Sequence, residues 1–273
     1  MGKVILLRHG QTHSNIHGYL DTRPPGAELS ELGRRQAHAV GEEFARELGE
    51  IPQWWSSMAI RTQQTSEIAA RAFEQFRGLE PYTIPVQVTP GLYEVFAGDY
   101  EMSQDMGKIA EYHQCLLRWL EGDEHAATPG GETYPEILAR YLPVMEQAAV
   151  SDHTTVIASH GTVVRVVARY LTGLDARQAF DWYLPNCRYI VLDPAGREFG
   201  QWKLDRWGDY DLGGAALGTE QPLPKTSGMQ LLFVHTEIMP NLMKHSHLDF
   251  VGKLLHTAAI TLQRLAVDKN RVR

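Results

Sequence analysis

Lys3-Val4-Ile5-Leu6-Leu7-Arg8-His9-Gly10 and Thr154-Thr155-Val156-Ile157-Ala158-Ser159-His160-Gly161 decide the fold. Each is a short apolar run, rich in branched residues, that ends directly on a His-Gly pair. Runs of this length without polar alternation belong to strands buried on both faces, as in parallel sheets. Around them, strand-like and helix-like stretches alternate. Residues 54–56 and 86–88 read as brief strands, and 188–192 and 198–204 as a closing pair joined through Pro194-Ala195-Gly196. Leu32, Ala37, Val40, Phe44 and Leu48 recur at helical spacing between an N-cap at Ser30 and a stop at Gly49. Further helices are expected over 60–73, 104–120, 134–149 and 162–171. The alternation predicts an α/β protein, a three-layer α/β/α sandwich around a mostly parallel central sheet. Ligands in such folds collect outside the carboxyl ends of the strands. His9 and His160 are therefore expected at one edge of the sheet, facing one substrate.

The bulk composition is that of a soluble globular chain: 273 residues, 43% hydrophobic and 22% charged, with a net charge of −7. An acidic body argues against general nucleic-acid binding, which depends on neutralising many phosphates. Two cysteines, Cys115 and Cys187, are too few for a disulfide framework and point to a reducing, cytoplasmic compartment. The four-residue apolar run near the N-terminus is too short for a signal segment or a membrane span, so no membrane role is expected. Composition changes after about Gly208. Gly213-Gly214, Gly218, Pro222 and Pro224 read as a linker, and from Lys225 onward seven Lys or Arg stand against three Asp or Glu. Residues 246–267 carry an apolar helical face, with Ser246 and Asp249 as a capping box. The expected division is a catalytic domain over 1–208 and a linker with a basic extension over 209–273. That extension could dock on the domain, join two copies in a homo-oligomer, bind a partner, or be an artefact of the chain's end.

Neutral imidazole is a competent nucleophile, and protonated imidazole a good donor. Two histidines in one site can divide those roles where their surroundings push their pKa values apart. A rival chemistry is zinc: His9, His13 and His17 recur every fourth residue, the spacing of one helical face. Gly10 and Gly18 weaken a helix there, so no metal is expected. His235, His245 and His247 read as a solvated cluster, and Trp54-Trp55 as core.

Arg8-His9-Gly10-Gln11-Thr12-His13-Ser14-Asn15 is similar to the R-H-G-x-T-x-x-N signature of the histidine phosphatase superfamily, the group that includes phosphoglycerate mutase-like phosphatases. Four further stretches resemble that family in order. They are the helix start Leu29-Ser30-Glu31-Leu32-Gly33-Arg34-Arg35-Gln36-Ala37, the segment 56–65 with Arg61, Leu92-Tyr93-Glu94 with Gly98 and Tyr100 behind it, and Ser159-His160-Gly161. The resemblance spans about residues 1–205. It implies a phosphoglycerate mutase-like fold and hydrolysis of phosphate monoesters, without cofactor or metal, on a small phosphorylated substrate. His9 would attack phosphorus, with its other ring nitrogen held by a backbone carbonyl. Arg8, Asn15, Arg61 and His160 would surround the phosphoryl oxygens, and Glu94 would serve as acid and base. Glu101 and Glu132 are rivals for the last role.

Tyr19, Asp21 and Arg23 after the first signature, and Asp99, Tyr100 and Trp119 near the acid, either shape substrate choice or close the fold. Family members carry Trp and Gly near Tyr100 and Met102, so an altered pocket rim is expected. The enzymatic alternative is a cofactor-dependent phosphoglycerate mutase. Mutases of the family have a stretch rich in Asn, Phe and Trp after the first signature, where this chain has Gly18-Tyr19-Leu20-Asp21-Thr22-Arg23-Pro24-Pro25. Thr162-Val163-Val164-Arg165 resembles the phosphatase version. A second alternative is a phosphate-binding regulatory module without turnover, which would need a gap in the constellation; none is found.

Overall fold

A computed structural model of the chain describes residues 2–212. The linker, the basic extension with its amphipathic stretch, and His235, His245 and His247 lie outside the described residues. Seven strands form one sheet: β1 (Val4–Arg8), β2 (Gln53–Ser56), β3 (Val86–Val88), β4 (Thr155–Ser159), β5 (Tyr189–Asp193), β6 (Lys203–Trp207) and β7 (Tyr210–Asp211). Their order is β3-β2-β4-β1-β5-β6-β7. The pairs on the β3 side of β1 are parallel and those from β1–β5 outward are antiparallel, so β1 to β4 and β6 run one way. β7 lies just past the expected boundary at 208 and extends the domain through Asp211.

Alternation along the strands sorts the core into two layers. Val4, Leu6, Trp55 and Ile157 pack on the side of α4 (Met106–Glu121), α5 (Tyr134–Ala149) and α6 (Gly161–Thr172). Ile5, Leu7, Trp54, Val156 and Ala158 pack on the other, against α2 (Glu31–Glu47) and α3 (Ile60–Arg77). Both tryptophans of the Trp54-Trp55 pair are thus core. Every residue of β4 is buried, as its unbroken apolar run requires.

The helices follow their caps. Ser30 Oγ accepts from Gly33 N at 3.0 Å and starts α2. Asp105 Oδ1 accepts from Lys108 N at 2.9 Å and starts α4. Gly78, in the left-handed region, stops α3 a turn beyond the expected end.

Three elements differ from expectation. A one-turn helix, α1 (His13–His17), follows the first signature; Thr12 and Asn15 form a capping box, and Gly18 ends it at φ 72°. Gly18 is thus the helix's stop rather than its breaker. α7 (Ala176–Asp181), capped by Asp175, had no clear periodic signal. β6 begins at Lys203, because Gly200 N and Trp202 N both bond to Leu171 O at the end of α6 and keep residues 198–201 out of the ladder.

Candidate active site

β1 and β4 are parallel neighbours with Arg8 opposite Ser159. The residues that follow them, His9 and His160, therefore emerge side by side, and His9 N bonds to Ser159 O at 3.0 Å. The two rings meet edge to face, with centroids 5.4 Å apart. His9 is 5% exposed, and its Nδ1 lies 2.7 Å from Gly10 O. A carbonyl only accepts, so Nδ1 carries the proton and Nε2 keeps a free lone pair. Burial, then the Arg61 and Arg8 guanidinium groups, hold the His9 pKa well below the ordinary imidazole value of 6.5, outweighing the Gly10 bond. The ring is neutral at neutral pH.

The turn behind His9 rests on α2 and α3. Gly10 N donates to Thr65 Oγ1 at 3.0 Å, Gln11 N to Gln36 Oε1 at 2.9 Å, and Ser30 N to Gln11 O at 2.8 Å. Gly33 allows this approach, since a Cβ there would stand 2.0 Å from Gln11 O. Ser30, Gly33 and Gln36 of the second signature thus all serve the loop that carries His9.

Arg61 opens α3 and is 2% exposed. Its Nε donates to His160 Nδ1 at 3.1 Å and its Nη2 to Thr22 O at 3.4 Å. Nη1 is buried without a hydrogen-bond acceptor among the described residues, 3.8 Å from Asp21 Oδ1. Arg8 donates through Nη1 to Leu184 O at 2.6 Å and to the Tyr183 hydroxyl at 3.0 Å, while its buried Nε has no partner among the described residues. One buried and one half-buried guanidinium group, each with an unused buried donor, form a ready anion receptor.

Asn15 is exposed on α1. Its Oδ1 accepts from Thr12 N at 3.1 Å and from Asn186 Nδ2 at 3.3 Å, so its own amide N–H groups remain to donate. His160 is 0% exposed and sits behind Arg61, its Nδ1 accepting from Arg61 and its Nε2 bonded to Ser57 Oγ at 2.9 Å. Burial, then Arg61 and His9, hold its pKa well below 6.5. Both ring nitrogens have protein partners, so His160 meets the site through Arg61 as well as through its edge against His9.

Glu94 lies in the loop after β3. Its Oε1 accepts from Val95 N and Val163 N, both at 2.9 Å, and its Oε2 from Thr162 N at 3.1 Å. The last two amides open α6, where backbone donors and the helix dipole favour an acceptor. Oε2 has the single donor and keeps capacity to exchange a proton. The rival acids are engaged elsewhere. Glu101 accepts from Thr22 N and Oγ1 and from Arg23 N, and Glu132 pairs with Arg140 at 2.8 Å.

Among the candidate rim residues, Arg23 is exposed with its guanidinium 5.2 Å from the centre of the Phe96 ring. Tyr19 is exposed beside His17, and the Tyr100 hydroxyl turns away to Glu111. Asp21 accepts from Ser14 Oγ and Ala27 N, folding its loop over Arg61. Asp99 is exposed in the turn at Gly98–Tyr100, and its N bonds to Pro129 O. Trp119 is core, its indole donating to Ala126 O. The three-histidine face does not form, because α1 begins at His13 and excludes His9; among the described residues no group of three metal-ligating side chains assembles.

Sequence reasoning missed the loop before β5. Besides Tyr183 and Leu184 on Arg8, it brings Asn186 Nδ2 to His9 O at 3.0 Å and Cys187 N to Arg8 O at 3.0 Å. Its one sequence signal is the pair Pro185-Asn186, two residues ahead of β5.

A strand-end imidazole with a free Nε2, two guanidinium groups with spare donors and a nearby carboxylate match the parts of metal-independent phosphoryl transfer. The chain belongs to the histidine phosphatase superfamily (branch 1), whose model matches residues 4–210. It is a phosphoric monoester hydrolase that works through a phosphohistidine. A glucosyl-3-phosphoglycerate phosphatase of Mycolicibacterium vanbaalenii is 26% identical over 75% of this chain and 93% of its own length. A 2,3-bisphosphoglycerate-dependent phosphoglycerate mutase of Nitrobacter winogradskyi is 27% identical over 64% and 83%. The solved structure of native mycobacterial glucosyl-3-phosphoglycerate phosphatase is 26% identical, covers 76% of this chain and 98% of that one, and has a TM-score of 0.59. No helix among the described residues is long and apolar enough to cross a membrane.

Proposed function

We propose that His9 is the nucleophile, that Arg8, Arg61 and Asn15 bind the phosphoryl group, and that Glu94 is the acid and base. The observation that carries this reading is the lock of His9 Nδ1 on Gly10 O, which leaves Nε2 free on a ring that feels the charges of both Arg61 and Arg8. Nε2 forms a bond to phosphorus as the P–O bond of the ester breaks, and the leaving oxygen takes a proton from Glu94. Water then attacks phosphorus, gives a proton to Glu94, and the P–N bond breaks to free phosphate and restore the lone pair. Arg8 and Arg61 hold the equatorial oxygens through their planar guanidinium forks. His160 keeps Arg61 in place and contributes its edge to the pocket.

The substrate is a small phosphorylated metabolite. Relatives carry the names glucosyl-3-phosphoglycerate phosphatase, phosphoserine phosphatase 1 and adenosylcobalamin/alpha-ribazole phosphatase. Hydrolysis is preferred over mutase chemistry because Gly18-Tyr19-Leu20-Asp21-Thr22-Arg23-Pro24-Pro25 stands where mutases of the family carry a stretch rich in Asn, Phe and Trp, and Thr162-Val163-Val164-Arg165 resembles the phosphatase version. The test is a screen of phosphorylated metabolites with acid-quenched samples examined for an acid-labile, base-stable phosphoenzyme. That species should form in the native chain and be absent in His9→Ala. Rapid isomerisation of 3-phosphoglycerate with trace bisphosphate, without released phosphate, would assign the mutase instead. The catalytic unit is the domain ending at about 208–212, in the cytoplasm, and the extension is not needed for chemistry. A chain truncated after Leu212 should keep its turnover.

A further inference from the structure

Glu94 sits in a stretch, residues 91–97, that lies outside every strand, yet its backbone is tied at nearly each residue by a side chain. Arg140 Nη1 donates to Gly91 O at 2.7 Å and to Tyr93 O at 2.8 Å, and its Nη2 to Glu94 O at 3.3 Å. Ser159 Oγ donates to Leu92 O at 2.8 Å, and the Tyr112 hydroxyl to Val95 O at 3.0 Å. Glu132 Oε2 accepts from Phe96 N at 2.9 Å.

Arg140 is the centre of this arrangement. Its Nε and Nη2 also grip Glu132 Oε1 and Oε2, at 2.8 and 3.0 Å. The five N–H groups of a guanidinium fork thus match five acceptors, three of them carbonyls of the acid's own loop. The plane of the same group lies 3.8 Å from the centre of the Tyr93 ring, which stacks on Phe96. Side-chain exposure is only 11% for Arg140 and 13% for Glu132. Buried pairs of this kind add little net stability, because desolvation offsets most of their attraction. What they do well is fix geometry.

We propose that Arg140, clamped by Glu132, is a positioning residue for phosphoryl transfer: it holds the 91–96 backbone so that Glu94 Oε2 meets the leaving oxygen. This rests on Glu94 as the acid. A lysine has one ammonium and no fork, so it cannot serve three carbonyls and a carboxylate together.

The experiment measures kcat and KM for the full chain with aryl and alkyl phosphates of rising leaving-group pKa. Variants are E94Q, R140K, R140Q and E132Q, plus the double variant E94Q/R140K, each checked for folding by circular dichroism. A missing acid matters little for a dinitrophenyl ester and much for an alkyl ester. E94Q should therefore lose progressively more rate along the series. R140K should follow the same slope more gently, losing under about threefold with dinitrophenyl phosphate and about ten- to a hundredfold with alkyl esters, at nearly constant KM. In the E94Q background it should add less than about twofold. An equal loss on all esters by folded R140K, or losses that multiply with E94Q, would overturn the proposal. So would failure of all three single variants at 132 and 140 to fold, which would make the pair a structural support. A flat series for E94Q would instead remove Glu94 as the acid, a separate failure.

Discussion

Arg61 Nε donates to His160 Nδ1 across 3.1 Å, and this fixes both partners. The imidazole must be neutral with its proton on Nε2, where Ser57 Oγ receives it, and the guanidinium is turned so that Nη1 is left without a hydrogen-bond acceptor among the described residues. His160→Leu should reduce kcat/KM on p-nitrophenyl phosphate by about 10²–10³, the scale of one lost charge-stabilising group. His160→Asn places an oxygen near Nδ1 and should recover about tenfold of that loss. Equal activity of the two variants would show that the bond to Arg61 is not what His160 supplies.

The depressed pKa values of His9 and His160 set the sign of the response to acid. Both folded values lie below 6.5, the ordinary value that the unfolded chain regains. Below pH 6.5 the unfolded state binds more protons, so stability contributed by these neutral rings is complete above 6.5 and is lost as pH falls toward the folded values. Denaturant titrations from about pH 7.5 down to about pH 5 span that window and should show falling stability, with a shallower fall in His9→Ala. The acid limb of kcat/KM, corrected for the substrate's own phosphate titration, should lie below 6.5 and move up in Arg61→Gln, because one of the depressing charges is gone. An unmoved limb in a folded, active variant would separate it from His9.

Asn15 has two duties that one pair of variants can part. Asn15→Ala removes the acceptor for Thr12 N, costing about 1 kcal/mol of stability, and removes the amide donor as well. Asn15→Asp keeps the cap but turns the donor into an anion beside the phosphate. The aspartate variant should melt near the native temperature yet have the lower kcat/KM. The opposite ranking in activity would leave Asn15 as a cap alone.

Gly33→Ala should weaken fold and turnover together. The added Cβ would meet Gln11 O at 2.0 Å, a backbone atom on the turn that carries His9, so the turn or the start of α2 must shift. A cost of about 1–3 kcal/mol is typical of such overpacking. Thermal melting and steady-state kinetics on the same sample check it; unchanged kcat in a destabilised variant would uncouple the turn from the nucleophile.

Much of this site could be read from residues alone, because its two imidazoles follow unbroken apolar strands. Leu7 and Ala158 leave no freedom about which sheet edge the next residues reach. What stayed hidden depended on contacts between distant stretches. Arg140 reads as an ordinary helix arginine until the loop it clamps is laid against α5. Asn186 and Tyr183 acquire meaning only when their loop folds onto β1. The antiparallel entry of β5 has no local signature, since a buried strand reads alike in either direction. α1 was obscured by Gly10 and Gly18, whose roles as a close-approach point and a stop depend on Gly33 and on the cap at Thr12.

Because β1 and β4 are immediate neighbours in the sheet, the two imidazoles owe their meeting to a single ladder that joins the first ten residues to a stretch some hundred and fifty positions later in the chain. A chain made only as far as α5 carries His9 and Arg61 but lacks His160, which takes the Arg61 Nε bond, and Leu184, which takes the Arg8 Nη1 bond. The complete site needs β4 between β2 and β1 and the loop before β5 as well, so enzyme activity doubles as a report that the chain has been made through that loop.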